Sequence, residues 1–549
     1  MTIGSIDEHA PEVDPDAPRT QPCPAPWWAG PLAGLVAAGT SIGLGHLVAG
    51  VIDVDSPLDA VGSEFIDRTP SWLKDLAIDW FGTADKTALR VGMILTIALL
   101  AAAVGSSARR RPWLGPAAMI AVGVGGALVA SGRPGAGSAA AVPAVVAALV
   151  GALSITRLER HVRSADPPLR RPQVSSAPAG WDRRLFVRET GAMATVAALA
   201  ALAGGGLERR RTEVLQESAP DTLPRVVDPP ASLAPSSPEF GSAVGSIPSS
   251  ATLSPISPYL TPNDDFYLID TALSVPRIDA ATWSVEIAGL VDRPRSYRYD
   301  DLLRLPQTER IITLSCVSNE VGGNLVGNAV WQGVLLADLL REAGIRDGAE
   351  QVFSTSVDGW TCGFPLAAAL DGRDAMIALG MNGEALPLRH GFPARLVVPG
   401  LYGYVSATKW LQRIELTTWD AAEGYWVPRG WAREAPIKTQ SRIDVPRKGE
   451  TVPAGMVVIA GVAWAPGRGI SRVEVRVDEG PWTEAALGDD LTGDAWRQWR
   501  VEWEPTGSGE HRVQVRATDG DGVTQTDEVS RPDPDGATGW HTRRFEVEA

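Results

Sequence analysis

The hydrophobic pattern changes character several times along the chain. Residues 1–27 are polar, acidic and proline-rich, which predicts a disordered tail because too little apolar surface is available to offset chain entropy. Five long apolar stretches follow, at about 28–51, 88–107, 113–131, 138–156 and 189–206. Each is close to the ~20 residues a helix needs to cross a bilayer, which predicts a transmembrane helical region over 28–206. Their Ala and Gly content keeps the hydropathy moderate, so buried helices of a soluble bundle are the other reading. Residues 207–255 are rich in Pro, Ser and Ala without a sustained period and read as an exposed linker. From about 256 short β-branched runs alternate with turns, as in Trp283-Ser284-Val285-Glu286-Ile287, Arg310 to Leu314 and Arg395 to Val398, while Leu335 to Ala343 carries apolar residues at helical spacing. This predicts an α+β domain over 256–438. Strict alternation then takes over, in Val473-Glu474-Val475-Arg476-Val477 and Val513-Gln514-Val515-Arg516-Ala517, with turns such as Asp519-Gly520-Asp521-Gly522. With Trp464, Trp482, Trp496, Trp499 and Trp503 as apolar ballast, residues 439–549 are expected to form an all-β sandwich.

Charge adds an orientation. The stretch after the first span holds Asp53, Asp55, Asp59, Glu64, Asp67, Asp75, Asp79 and Asp85 and reads as external. Arg109 to Arg111 follow the second span, and Arg157, Arg160, Arg163, Arg170, Arg171, Arg183, Arg184 and Arg188 follow the fourth; both clusters read as cytoplasmic. The fifth span then carries everything downstream outward, against the sign of Arg209, Arg210 and Arg211. The run Asp182-Arg183-Arg184-Leu185-Phe186-Val187, ahead of a weakly hydrophobic span, resembles an internal twin-arginine export signal; an ordinary positive-inside cluster is the alternative.

Composition excludes several classes of function. At 549 residues the chain is too long for one core. A net charge of −15 argues against a nucleic-acid partner. Cys23, Cys316 and Cys362 have no paired spacing, so a disulfide framework, a zinc site and an iron–sulfur cluster are poorly supported, and no CxxCH is present for covalent haem. Of six histidines, His46 alone falls inside a predicted span, whereas a bis-histidine haem needs two facing ones. Any redox chemistry therefore calls for a separate electron partner.

The candidate chemistry starts at Cys316, in Thr313-Leu314-Ser315-Cys316-Val317-Ser318-Asn319, followed by Gly322-Gly323 and Trp331-Gln332-Gly333-Val334. A β-rich approach delivers one thiol to a glycine-rich loop, with a helical stretch beyond. A thiolate so presented can bind a soft metal, although an inert buried cysteine is the common outcome. A second cluster runs from Leu386 through His390-Gly391-Phe392-Pro393-Ala394-Arg395 to Tyr402-Gly403 and Ala407-Thr408-Lys409-Trp410. Arg suits bidentate phosphate contacts, Lys supplies a point charge and His donates or accepts; a solvated basic loop is the plain alternative. The dense Gly and Pro punctuation favours close approach of backbone to a ligand.

Taken together, these runs resemble the sulfite-oxidase-like molybdopterin oxidoreductases, over roughly 255–549. The alternating C-terminal segment, including Gly509-Glu510-His511-Arg512-Val513, resembles that family's immunoglobulin-like dimerisation domain. The resemblance implies molybdenum and molybdopterin as cofactors, with Cys316 as catalytic thiolate ligand to the metal. It implies pterin binding by Tyr267, Leu268, Asp358, His390, Arg395, Ala407, Thr408 and Lys409. Tyr267 and Leu268 belong to Thr261-Pro262-Asn263-Asp264-Asp265-Phe266-Tyr267, which matches the family segment that lies against the pterin. It also implies two-electron oxygen-atom transfer and a possible homodimer. The departures bear on substrate. Where sulfite oxidases carry Arg and His after these aromatics, this chain reads Leu268-Ile269-Asp270-Thr271; Asn-Arg-Arg after the cysteine becomes Asn319-Glu320-Val321; and the active-site Tyr before Asn-Gly becomes Leu379. The expected protein is a multi-pass enzyme of the cytoplasmic membrane with an extracytoplasmic catalytic domain, acting on a small oxygen-atom donor or acceptor. Sulfite, a neutral S-oxide or N-oxide, and oxidised methionine in exported proteins all stay open. The competing class is a non-catalytic surface or assembly protein that uses the sandwich for interaction.

Overall fold

A computed structural model describes residues 25–70, 85–163, 183–217 and 256–548, with isolated positions between them. Residues 1–24 (Cys23 included), Asp75 and Asp79, residues 164–180, Asp182 of the twin-arginine run and nearly all of 218–255 lie outside the described residues. The chain divides into two compact units, one holding most of 1–208 and the other holding 209–549 together with 63–83 and 133–135.

The first unit is helical. Its helices Ala29–Ile52, Asp85–Ala108, Leu114–Gly132, Val142–Arg163 and Arg183–Glu217 include five stretches long and apolar enough to cross a membrane. The fourth begins at Val142 rather than 138 because Gly135, Gly137 and neighbouring turns precede Pro143, which sits in the first helical turn. The fifth runs well past 206, so Arg209, Arg210 and Arg211 belong to a helix rather than to a loop. Small residues set the packing: a Cβ at Gly105 would collide with the backbone of Gly30 and Gly34, and one at Gly123 with Ala148. Backbones that close leave dispersion as the main helix–helix attraction. Large apolar side chains point away from the bundle instead; Leu99 and Leu202 are 74% and 73% exposed. The stretch after the first span is not a plain acidic loop, for Pro57–Arg68 is helical, with Ser56 bonded to Asp59 at its start.

In the second unit two five-stranded sheets carry the α+β region. One is ordered Thr308–Ser315, Val326–Leu335, Met376–Met381 and Glu384–Ala385, with Arg395–Val397 also paired to Met376–Met381. The other runs Arg295–Arg298, Ser284–Gly289, Leu411–Thr417, Gln351–Ser356 and Thr361–Pro365. Trp331, Leu379, Phe364, Phe392 and Trp410 fill their shared core. The helix expected beyond the Cys316 loop exists as Leu336–Ala343, but the strand Val326–Leu335 intervenes and buries Trp331. Residues Gln440 to Val547 form a four-stranded and a five-stranded sheet around Trp499, Ile459, Val513 and Phe545.

The tryptophans divide differently from the sequence expectation. Trp499 lies in the β-rich core, but Trp464 and Trp496 pack into the α+β core. The Trp496 indole N–H donates to the Tyr259 carbonyl at 2.7 Å, and its backbone N–H to Thr313 Oγ1 at 2.7 Å. Thr313 in turn donates to Asn328 Oδ1 at 3.0 Å, while Asn328 Nδ2 donates to the Tyr259 carbonyl at 2.9 Å. Fully buried Asn328 thus joins the approach segment at 259–267 to the strand behind Cys316 and to the C-terminal sheets. Asn328→Ala strands buried polar partners at a cost of about 1–3 kcal/mol each. It is expected to lower the thermal unfolding midpoint of the full-length protein, while a surface change such as Arg531→Gln leaves that midpoint in place.

Candidate active site

Cys316 is 8% exposed and follows directly on the strand Thr308–Ser315. Its backbone N–H bonds to the Leu325 carbonyl at 2.9 Å, closing the hairpin whose tip holds Glu320 to Gly323. The sulfur accepts hydrogen bonds from Ser318, through backbone and side chain, and from the Val317 N–H. Those donors favour the thiolate, yet burial outweighs them and pushes the thiol up from its ordinary value. A cationic metal is the kind of partner that reverses such a balance.

The second cluster forms around Gly391. This residue has φ +115°, and a Cβ there would come within 3.0 Å of Lys409 Cβ and 3.1 Å of Arg395 Cβ. Its lack of a side chain therefore brings His390, Arg395 and Lys409 together. The Trp410 N–H bonds to the Gly391 carbonyl and the Leu411 N–H to Ala394, which lays the 408–411 segment beside 391–396. His390 donates its Nε2–H to the Asn263 carbonyl at 2.8 Å, leaving Nδ1 as an acceptor. Burial, with Arg395, Lys409 and Arg389 nearby, holds this imidazole down to about 4, so it is neutral at physiological pH.

Arg395 is 6% exposed. It stacks 4.9 Å over Trp331, and its described hydrogen bonds go to backbone carbonyls, His390 at 3.1 Å and Leu396 at 3.5 Å. Burial depresses it to about 10. No ion pair of Arg395 occurs among the described residues. Lys409 is equally buried but sits 2.5 Å from Asp270 Oδ2, 3.2 Å from the Arg389 carbonyl and 4.7 Å over Trp410. Thr408 Oγ1 is held inside by Ser354 at 2.7 Å and Cys362 at 3.1 Å; Cys362 itself is pushed up to about 11, chiefly by burial. The Ala407 N–H caps the short helix Gly403–Ser406.

Tyr267 stacks on Phe266, whose ring also meets Trp331 and His390 edge-on. Burial raises the Tyr267 phenol, and the phenol lies near enough to both Cys316 and Arg395 for their charges to act on it. Leu268 follows, partly exposed. One aromatic segment therefore links the thiol to the cationic cluster. Asp358 stands apart in its contacts: Oδ1 accepts the Trp360 N–H within the hairpin turn 356–361. Sequence reasoning did not select three neighbours. Asp270 neutralises Lys409; Asn263 fixes His390; and Tyr402, pushed up to about 12 mainly by burial, lies within electrostatic reach of Cys316. Tyr402 was visible in the Gly-rich run, but nothing in the run marked its direction. Leu379, where an active-site Tyr was expected for sulfite, is wholly buried.

The donor set fits the group that the resemblance implies. A soft thiolate suits molybdenum, and a buried guanidinium with carbonyl partners alone suits a phosphate. The protonation of this core also sets a pH limit. His390 titrates near 6.5 when unfolded and near 4 when folded, so the unfolded state binds the extra proton between those values. Stability is therefore expected to fall as pH drops from about 6.5 towards 4 and to be flat in this respect above 7. Thermal melts of wild type and His390→Gln across that range check this; the slope is shallower in the variant.

Comparison with known proteins agrees with this reading. The family model described as an oxidoreductase molybdopterin binding domain matches residues 272–426, a range holding Cys316, His390, Arg395 and Lys409. Mitochondrial sulfite oxidase of Rattus norvegicus is 31% identical over 320 residues, covering 50% of this chain and 58% of the relative. The chain thus spans little more than half the length of that protein. Sulfite oxidase of Arabidopsis thaliana is 31% identical over 281 residues, covering 42% of this chain and 71% of the relative. Oxidoreductase YuiH of Bacillus subtilis strain 168 is 35% identical over 153 residues, 28% of this chain and 74% of its own. The sulfane dehydrogenase SoxCD of Paracoccus pantotrophus aligns at a TM-score of 0.46 with 26% identity, over 57% of this chain and 97% of that one. With the family model and the Arabidopsis and Bacillus relatives, each covered over two thirds or more of its length, the chain belongs to the sulfite-oxidase-like molybdopterin oxidoreductases, whose cofactor is molybdopterin carrying molybdenum.

Proposed function

We propose that this protein is a membrane-anchored oxidoreductase that transfers an oxygen atom to or from a small substrate outside the cytoplasmic membrane. The observation that carries the reading is Arg395, buried with carbonyl partners beside Tyr267 and within the electrostatic range that also includes Cys316. A non-catalytic surface protein has no use for that arrangement.

When bound, the molybdenum–pterin group supplies the two-electron chemistry. The chain's own residues position it. Cys316 is the thiolate ligand, steadied by Ser318 and Val317. Arg395 and Lys409 hold the phosphate, and neutral His390 offers Nδ1 as an acceptor. Tyr267 and Leu268 lie along the pterin, the backbone of Ala407 and Thr408 adds contacts beside Lys409, and Asp358 is an outlying contributor. The domains divide as an apolar helical region to 206, a linker to 255, a molybdopterin domain to 438 and an immunoglobulin-like sandwich beyond. The five apolar helices support membrane attachment, and the arginine distribution supports an external catalytic domain. A separate redox partner takes or delivers electrons singly, and the sandwich supports a homodimer.

The mouth of the site favours a neutral S-oxide or N-oxide over sulfite. Asp270 stands where anion-binding residues were expected and cancels part of the Lys409 charge. Leu379 replaces a proton-handling phenol. Elemental analysis for molybdenum and pterin, followed by a screen of sulfite, S-oxides and N-oxides with artificial electron donors and acceptors, tests the reading. Absence of both metal and pterin from protein made in a cofactor-competent host overturns it.

Three expectations follow from the roles assigned. Cys316→Ser abolishes turnover while pterin content stays near wild type, because phosphate and ring contacts are untouched; a wild-type rate in that variant ends the assignment. Lys409→Ala lowers pterin content by about tenfold or more, in keeping with loss of a charge-assisted bond. Asp270→Asn retains pterin and shifts turnover towards anionic substrates, read as a lower KM for sulfite.

A further inference from the structure

A cleft of about 1010 Å³ lies between the tip of the Cys316 hairpin and the strand His541–Val547. Val321 and Gly322 form one wall; Arg447, Lys448, Asp444, His541, Arg543 and Arg544 form the other. The acid among them is already engaged. Asp444 Oδ1 accepts from Arg442 Nε at 2.8 Å and Oδ2 from the Ser257 N–H at 2.9 Å. Arg544 pairs with Glu510 at 3.0 Å. For Arg447, Lys448 and Arg543 the described residues provide no ion pair, and Arg543 Nη1 reaches only the Asp444 carbonyl, at 3.3 Å. Burial and the neighbouring Arg442 and Arg447 hold the Arg543 guanidinium below its ordinary value, opposed in part by Asp444 and Glu450.

His541 supplies an independent sign of a ligand. It is 9% exposed, and Nδ1 accepts the Ile443 N–H at 2.9 Å, which places the ring proton on Nε2. Burial first, and then Arg543 and Arg442, keep this ring neutral, holding it near 4. Its Nε2–H has no hydrogen-bond partner among the described residues, and His541 is among the residues lining the cleft. The ring lies so close to Gly322, at φ +77°, that a Cβ there would overlap it. In a chain of net charge −15 such a concentration of unpaired donors is a local exception.

We propose that this cleft binds a tetrahedral oxyanion of the sulfate or phosphate class, held by Arg447, Lys448, Arg543 and the His541 Nε2–H. Three cations and a neutral donor match the shape and charge of such a group. The site is separate from the pterin cluster and stands whether or not the substrate reading holds. It faces the tip of the hairpin that carries Cys316, six residues from the thiol along the chain, so its occupant bears on the loop that frames the metal ligand.

Calorimetric titration of the full-length protein in detergent with sodium sulfate and sodium phosphate, at constant ionic strength set by sodium chloride, tests this. Saturable binding is expected for one or both, weakened about tenfold or more by Lys448→Gln and by Arg543→Gln and unchanged by Arg531→Gln. Lys448 is exposed, so that variant keeps the fold. A parallel titration with a soluble short-chain phosphatidic acid separates the sources: binding of the free ions assigns a soluble oxyanion, while variant-sensitive binding of the lipid alone assigns a phosphate headgroup. No saturable binding of either up to about 10 mM, or binding that both variants leave unchanged, overturns the proposal.

Discussion

Burying Arg395 is the constraint on which the catalytic domain depends. A guanidinium removed from water costs several kcal/mol unless a counter-charge or a full set of hydrogen bonds replaces its hydration. Here two carbonyls and the Trp331 face replace only part of it. The depression of this normally permanent cation to about 10 has the same cause, burial. A dianionic phosphate bound there, as proposed, would remove the deficit, and folding and cofactor loading would then draw on one free energy. The neighbouring lysine shows the contrasting solution. Asp270 already compensates Lys409, so the protein tolerates that charge in the absence of ligand.

Backbone geometry is what allows these cations to share a site. Gly391 permits the 390–396 and 408–411 segments to touch, and the Leu396 and Leu411 N–H groups complete the contact by bonding to Thr408 and Ala394. The aromatic set Phe266, Tyr267 and Trp331 walls this region and excludes water, which strengthens every charge interaction inside it. Asn328 and Asn382 then tie the 259–263 segment to the central sheet, the latter through Thr261 and Asn263. Polar networks of this kind carry little net stability but fix one arrangement.

Much of this organisation was legible in the chain. The apolar stretches, the alternation beyond 440 and the Gly/Pro-punctuated basic run all report local periodicity or local backbone demands, and local demands are what a sequence displays. The convergence of Cys316 with the 390–409 cluster was less accessible, because it depends on strand pairing across many residues. Resemblance supplied it. The division of the tryptophans escaped for a related reason: Trp464 ends the strand Val457–Trp464 and Trp496 precedes the strand Arg497–Trp503, and both pack into the α+β core through long-range contacts. Asp270 was readable as a departure, yet its pairing with Lys409 is a long-range contact that no spacing announces. His541, at the start of a plain alternating strand, carried no signal at all.

These charge arrangements point in one direction. The cluster of Arg395 and Lys409 is cationic, which suits the phosphate proposed for it, and Asp270 compensates Lys409. The position of the missing phenol is filled by buried Leu379, which can neither donate a proton nor attract an anion. Neither Asp270 nor Leu379 offers an anion any attraction. A second group of cations without ion pairs among the described residues, Arg447, Lys448 and Arg543, lines the cleft with Val321 and Gly322 at the tip of the Cys316 hairpin. If that cleft takes an oxyanion as proposed, this chain carries anion-binding groups at the hairpin tip, while the stretch after the entry aromatics, where sulfite oxidases carry Arg and His, holds Asp270. On the proposed reading the substrate site suits an uncharged substrate, and an oxyanion in the cleft contacts the hairpin tip rather than the metal ligand itself.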